Sequence, residues 1–310
     1  MADMSGSEHG SKAILAAFAA NLGIAVAKFV GFLFTRSSSM LAESVHSLAD
    51  TGNQGLLLLG GKRAARQADA QHPFGHGRER YFWAFVVALV LFIGGATFAV
   101  YEGIEKILHP HELESPGWAI GILGLAILLE GYSFRTATIE SKQSRGERSW
   151  VAYIRSARSP ELPVVLLEDT GALAGLGIAL LGITLALVTG QPVFDGIGTL
   201  CIGILLAIIA FVLAVEMKSL LIGEAALPEH EQVIRDALLD GPQVRSVIHM
   251  RTQHLGPEDL LLAAKVEFDQ ELSVPELAQA IDDAEARVRA RLPIARLIFL
   301  EPDLRRPSRS

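Results

Sequence analysis

His46 and Asp50 stand four residues apart in the stretch 40–59, whose other residues suit a lipid bilayer. On a helix that interval stacks the imidazole and the carboxylate on one face, with Asn53 and Gln54 one turn further along the same stripe. Ionisable groups at membrane depth are costly, on the order of 2.5–3.5 kcal/mol each on the gentlest scale. Such a pair marks an ion or proton path, or two groups that bond each other inside a helix bundle. A histidine with a carboxylate is also the ligand chemistry of zinc and its divalent neighbours.

Three further carboxylates fall in apolar runs: Glu130, Glu168 and Asp169. Counted along helices at a rise of ~1.5 Å per residue, all three and Asp50 lie about 10–15 Å from the cytoplasmic edge of the hydrocarbon core. Four carboxylates at one level repel if ionised and unpaired, so they must share protons, bind a cation, or do each in turn. The competing reading makes Glu130 structural, paired with an inward hydroxyl or with Arg135. Asn21 suits a helix–helix hydrogen bond, and Lys28 suits snorkelling toward the outer surface.

The elements that must hold these groups follow from composition. Half of the 310 residues are apolar, and the pattern predicts six membrane-spanning helices at about 13–35, 39–60, 82–107, 117–139, 161–187 and 192–221. The polar stretch before the first has no basic region or cleavage site, so it is read as a retained tail rather than a signal peptide. Lys62, Arg63, Arg66, Arg78 and Arg80 follow the second span, and Lys142, Arg145, Arg148, Arg155 and Arg158 follow the fourth. This bias predicts that both termini face the cytoplasm, in the inner membrane if the source is bacterial. The net charge of −7 and the lack of a basic stripe argue against a nucleic-acid partner. Cys201, the single cysteine, is expected to pack inside the sixth span.

Past Gly223 the composition turns mixed and charged. Alternation and helical spacing predict helix 228–239, strand 244–252, strand 260–268, helix 274–291 and strand 296–301. The expected organisation is a tail (1–12), a six-helix membrane domain (13–222), an αββαβ, ferredoxin-like cytoplasmic domain (223–304) and a disordered end (305–310). Two helices on one face of a small sheet leave the other face open, so self-association is expected.

At this point the residues resemble a known family. Leu41-Ala-Glu-Ser-Val-His-Ser-Leu-Ala-Asp50, His72-Pro-Phe-Gly-His-Gly-Arg78, Leu166-Leu-Glu-Asp-Thr-Gly-Ala172 and Leu220-Leu-Ile-Gly-Glu-Ala225, in that order, resemble the cation diffusion facilitator family. The Leu-Leu-Glu-Asp run and Leu129-Glu-Gly-Tyr-Ser-Phe134 look like its branch containing the animal mitochondrial zinc exporter. The resemblance implies a homodimer of six-helix protomers that exports divalent transition metal from the cytoplasm in exchange for protons, by rocking of spans one, two, four and five against three and six.

The resemblance also implies a transport site built from His46 and Asp50 on span two and from two positions on span five, of which Asp169 matches the second. The first is Val165, which cannot ligate. Glu168 is the nearest candidate to fill the gap, then Glu130, then Asn53. Oxygen in place of imidazole hardens the site, which loosens its preference for zinc and admits manganese, iron or cobalt more readily. Zinc remains the expected cargo because His46 is kept and because the resembling branch handles zinc.

Two more candidate metal sites lie outside the spans. Asp69, His72 and His76 bracket a Pro-Phe-Gly turn; equivalent residues in similar proteins bind an additional zinc, and the bland reading is that they cap the turn and the next helix. In the cytoplasmic domain His249, Glu301 and Asp303 form a weaker candidate, with solvated surface as the alternative. No catalytic nucleophile constellation or phosphate-cradling motif occurs, since Gly75-x-Gly77 follows no strand, and no enzymatic activity is expected. The loss of a ligand at Val165 keeps open a second function, a non-transporting, membrane-anchored metal-sensing or scaffolding dimer.

Overall fold

A computed structural model describes residues 38–110 and 116–305, together with helical positions 15, 18–19, 21–27, 29–30 and 33. The chain divides into two units, one running to Lys62 and from Arg80 to Lys218, the other comprising Arg63–Glu79 and the chain from Ser219.

In the first unit α1 is Ser38–Ala64; α2 (Glu79–Val90), a π-helical segment (Leu91–Thr97) and α3 (Phe98–Leu108) form one continuous rod; α4 is Pro116–Arg145, α5 Trp150–Ser156, α6 Glu161–Thr189 and α7 Val193–Ile222. Among the described residues four helical stretches are long and apolar enough to cross a membrane: Glu79–Leu108, Ala119–Lys142, Glu161–Thr189 and Val193–Ile222. They coincide with expected spans three to six. α1 covers the second, and the first is described only at the positions given above. The π-helical turn was not anticipated. There Thr97 Oγ1 donates to Phe92 O at 3.1 Å, five residues back, in the wider register of that turn.

Close helix contacts rest on small residues, as membrane packing requires. A Cβ at Gly103 would stand 2.5 Å from Leu200 N, so α3 meets α7 backbone to backbone. Lys106 Nζ lies 3.1 Å from Asp195 Oδ2 across the same pair of helices. At the other end of the rod, Arg80 Nε lies 3.4 Å from Glu161 Oε1 and joins α2 to α6. Cys201 lies within this span, as expected, and is exposed on α7, while Leu206, Ile209, Ala210, Leu213, Met217 and Leu220 fill the buried stripe.

The second unit holds α8 (Pro228–Leu239), β1 (Val244–Gly256), β2 (Asp259–Phe268), α9 (Val274–Arg291) and β3 (Leu297–Pro302). The sheet order is β1-β2-β3, with β1 and β2 antiparallel and β2 and β3 parallel. In β2 every second residue turns inward, from Leu260 through Leu262, Ala264 and Val266 to Phe268. That face shares one core with Ile234, Ala237 and Leu238 of α8 and with Ala280, Ala284 and Val288 of α9. Ser273 starts α9 with a capping box, its N–H donating to Glu276 Oε2 at 2.8 Å. β1 and β2 each extend further toward their shared turn than expected, leaving Pro257 and Glu258 as its two residues, because their pairing continues through His254 and Leu260 to Gly256 and Asp259.

Candidate metal centre

Adjacent residues on a helix point about 100° apart, and Glu168 and Asp169 use that angle to engage different neighbours. Glu168 Oε1 accepts from Asn53 Nδ2 at 3.0 Å and its Oε2 from Gln54 Nε2 at 2.9 Å, both on α1. Gln54 Oε1 in turn accepts from Asn21 Nδ2 at 3.3 Å. Asp169 Oδ2 accepts from Ser133 Oγ on α4 at 2.8 Å. Asn21, Asn53, Gln54, Glu130, Ser133, Glu168 and Asp169 are all buried.

The carboxylates expected at one depth are within electrostatic reach of one another. Glu168 senses the charges of Asp50, Asp169 and Glu130, and Asp169 senses those of Glu130 and Asp50. Helices α1, α4 and α6 thus converge on one acidic, hydrogen-bonded locus. Asn53 Oδ1 is buried there with no hydrogen-bond partner among the described residues. Val165 is fully buried and belongs to the apolar packing. His46 falls on α1, but its side chain lies outside the described residues.

Sequence reading missed Ser133, whose signal was its place three residues past Glu130 on the same helical face. Asn53, expected as a third-choice ligand, donates its amide N–H to Glu168. Asn21 does make the expected helix–helix hydrogen bond.

The loop candidate is compact. Asp69, His72 and His76 each offer a ligand atom within 4.8 Å of the others. Asp69 Oδ1 accepts from the backbone N–H of His72 at 2.7 Å and of Gln71 at 2.8 Å, and Asp69 Oδ2 lies 3.2 Å from His76 Nε2. The His72 N–H foremost, with His76 and Gln71 adding to it, lowers the Asp69 pKa to about 2. This segment belongs to the second unit. A Cβ at Gly77 would stand 2.7 Å from Leu255 O and 3.0 Å from Gly256 Cα, so the loop is seated on the β1–β2 turn.

The third candidate set lies along the sheet, next to Lys265. Lys265 Nζ binds Glu301 Oε1 at 3.0 Å and Asp303 Oδ2 at 3.3 Å. His249 is Lys265's partner across the strands. The expected set of His249, Glu301 and Asp303 thus has an ammonium beside both of its acids. Among the described residues the loop trio is the group whose ligand atoms cluster closely enough for one ion.

The cation efflux transmembrane domain family matches residues 14–222. The chain belongs to this family. Its cytoplasmic domain family matches residues 226–303. Among curated relatives of this cation efflux protein is the mouse mitochondrial proton-coupled zinc antiporter SLC30A9, 35% identical over 78% of the chain. The chain spans 43% of that relative's length. The cation-efflux pump FieF of Pectobacterium atrosepticum is 27% identical over 93% of the chain and 90% of the pump. The similarity to the mitochondrial antiporter agrees with the resemblance carried by the Leu-Leu-Glu-Asp run.

Proposed function

We propose that this protein carries divalent transition metal, zinc foremost, out of the cytoplasm in exchange for protons. The observation that supports it is that Glu168 and Asp169 are buried side by side on α6 and hydrogen-bonded to α1 and α4, with the charges of Asp50 and Glu130 acting on both. In this reading the cargo ion sits between His46 and Asp50 on α1 and Asp169 on α6, and Glu168 supplies the oxygen that Val165 cannot. Glu130 completes the polar wall. Metal needs ionised carboxylates and neutral imidazole, so each ion entering displaces protons, and protons arriving from the far side displace the ion. That competition at a shared site couples the two gradients without a nucleotide. The relative named a proton-coupled zinc antiporter supports zinc and the proton exchange; the oxygen-rich donor set leaves room for manganese, iron or cobalt.

The same reading assigns six spans, cytoplasmic termini, a boundary near Gly223 and a homodimer joined through the cytoplasmic domain, with a loop zinc site at Asp69, His72 and His76. The test is metal uptake into proteoliposomes under an imposed pH gradient. Native protein should accumulate zinc, and Asp50→Ala and Asp169→Ala should not. Equal flux in all three would reject these ligands.

A further inference from the structure

A carboxylate that ligates a metal is itself usually held by hydrogen bonds, and removing such a partner typically weakens metal affinity by about 10- to 100-fold. We propose that Asn53 and Gln54 are positioning residues for Glu168: their amides form a clamp that presents its carboxylate as the replacement ligand, and Asn21 braces the clamp. This rests on the transport-site reading above.

The geometry is specific. Each Glu168 oxygen takes one N–H, from Asn53 at 3.0 Å and from Gln54 at 2.9 Å, which fixes the plane of the carboxylate. A carboxylate oxygen has two lone pairs, so each keeps one for a cation. An ionised carboxylate only accepts, so both carboxamides must turn their nitrogens toward it. For Gln54 the oxygen left over is taken up by Asn21. For Asn53 the Oδ1 is left buried and unmatched among the described residues, an acceptor suited to water carried by the ion. Without the clamp, Glu168 has a long side chain free to turn away, and its place around α6 from Asp169 would not by itself bring both to one ion. The pair Asn53-Gln54 therefore compensates for Val165: the ligand has moved three positions along α6, and α1 carries the groups that aim it.

The experiment is cobalt(II) binding to the detergent-solubilised full chain, with His72→Ala and His76→Ala present throughout to remove the loop site, followed by equilibrium affinity and by the visible absorption bands that report the ligand field. Asn53→Ala and Gln54→Met should each weaken binding by about 10- to 100-fold and alter the bands, and Asn21→Ala should do less, being one bond removed. Glu168→Ala should bind weakly through the remaining groups, and adding either clamp substitution should cost nothing more. Full additivity in that background, or native affinity and bands in both single variants, overturns the clamp. Asp169→Asn separates the two levels: if it too binds like the native chain, the transport-site reading fails; if it loses binding while the clamp variants do not, the clamp alone fails.

Discussion

Glu168 and Asp169 are neighbours in the chain yet belong to different hydrogen-bonded partnerships, Glu168 with the carboxamides of Asn53 and Gln54 on α1 and Asp169 with Ser133 on α4. Two adjacent acids thereby fix the rotation of α6 between two other helices. A helix turned by one residue would break both partnerships at once, so the network sets which carboxylate faces which wall.

The Asp169 half of this arrangement predicts a graded result. Ser133→Ala leaves the carboxylate in place and removes one donor at 2.8 Å. Hydrogen bonds between membrane helices are worth ~0.6 kcal/mol on average and up to ~1.7, which corresponds to roughly 3- to 20-fold in apparent metal affinity. Uptake in proteoliposomes should show a raised half-saturation with the maximal rate largely kept, whereas Asp169→Asn should abolish uptake. A Ser133→Ala protein as inactive as Asp169→Asn would mean that the hydroxyl ligates rather than orients.

Much of this was legible beforehand, for reasons tied to particular residues. In the cytoplasmic unit the helix bounds were read correctly because Pro228, Ser273 and Pro275 punctuate the chain, and β2 because its alternation is unbroken from Leu260 to Phe268. Strand pairing was not legible: that Lys265 lies opposite both His249 and Glu301 depends on register across three strands, and it is this register that brings an ammonium to the acids of the third candidate set. In the membrane unit the depth of Asp50, Glu130, Glu168 and Asp169 could be counted along the chain. Which neighbour each would meet could not, because that depends on helix rotation and on uncharged partners, Gln54 and Ser133, whose residue types carry no chemical alarm.

Val165→His tests the vacant position directly. The site chain is fully buried, and placing a larger, polar ring there should destabilise the protein by roughly 1–3 kcal/mol, read as a lowered thermal midpoint. Added imidazole should also shift competition uptake toward zinc over manganese. A destabilised protein with unchanged selectivity would show that this face of α6 does not look onto the ion.

The loop site makes a pH prediction whose sign is fixed. Asp69 has a lowered pKa of about 2, so its contribution to loop order is present above its ordinary value and is lost only as pH falls through about 2. It is ionised wherever the protein works, so it brings the same charge to zinc binding across that range. In an Asp169→Asn background, Asp69→Asn should lower loop zinc affinity by the same factor at each point of a pH series. A slope that changes with Asp69→Asn would assign the titrating group to the carboxylate instead.

Gly77 connects that loop to the cytoplasmic sheet. Its backbone lies so close to the β1–β2 turn that a Cβ would meet Leu255 O at 2.7 Å and Gly256 Cα at 3.0 Å, and backbone atoms in a paired hairpin cannot give way as a flexible side chain can. Gly77→Ala should therefore lift the loop from the turn while leaving the core of Leu260, Leu262 and Val266 intact. Hydrogen exchange measured on the full chain should rise in residues 66–79 and 254–258 and stay native in β2 and α9. If exchange rises throughout the sheet, the loop is a structural part of that domain's core; if it rises nowhere, the contact is not maintained in solution.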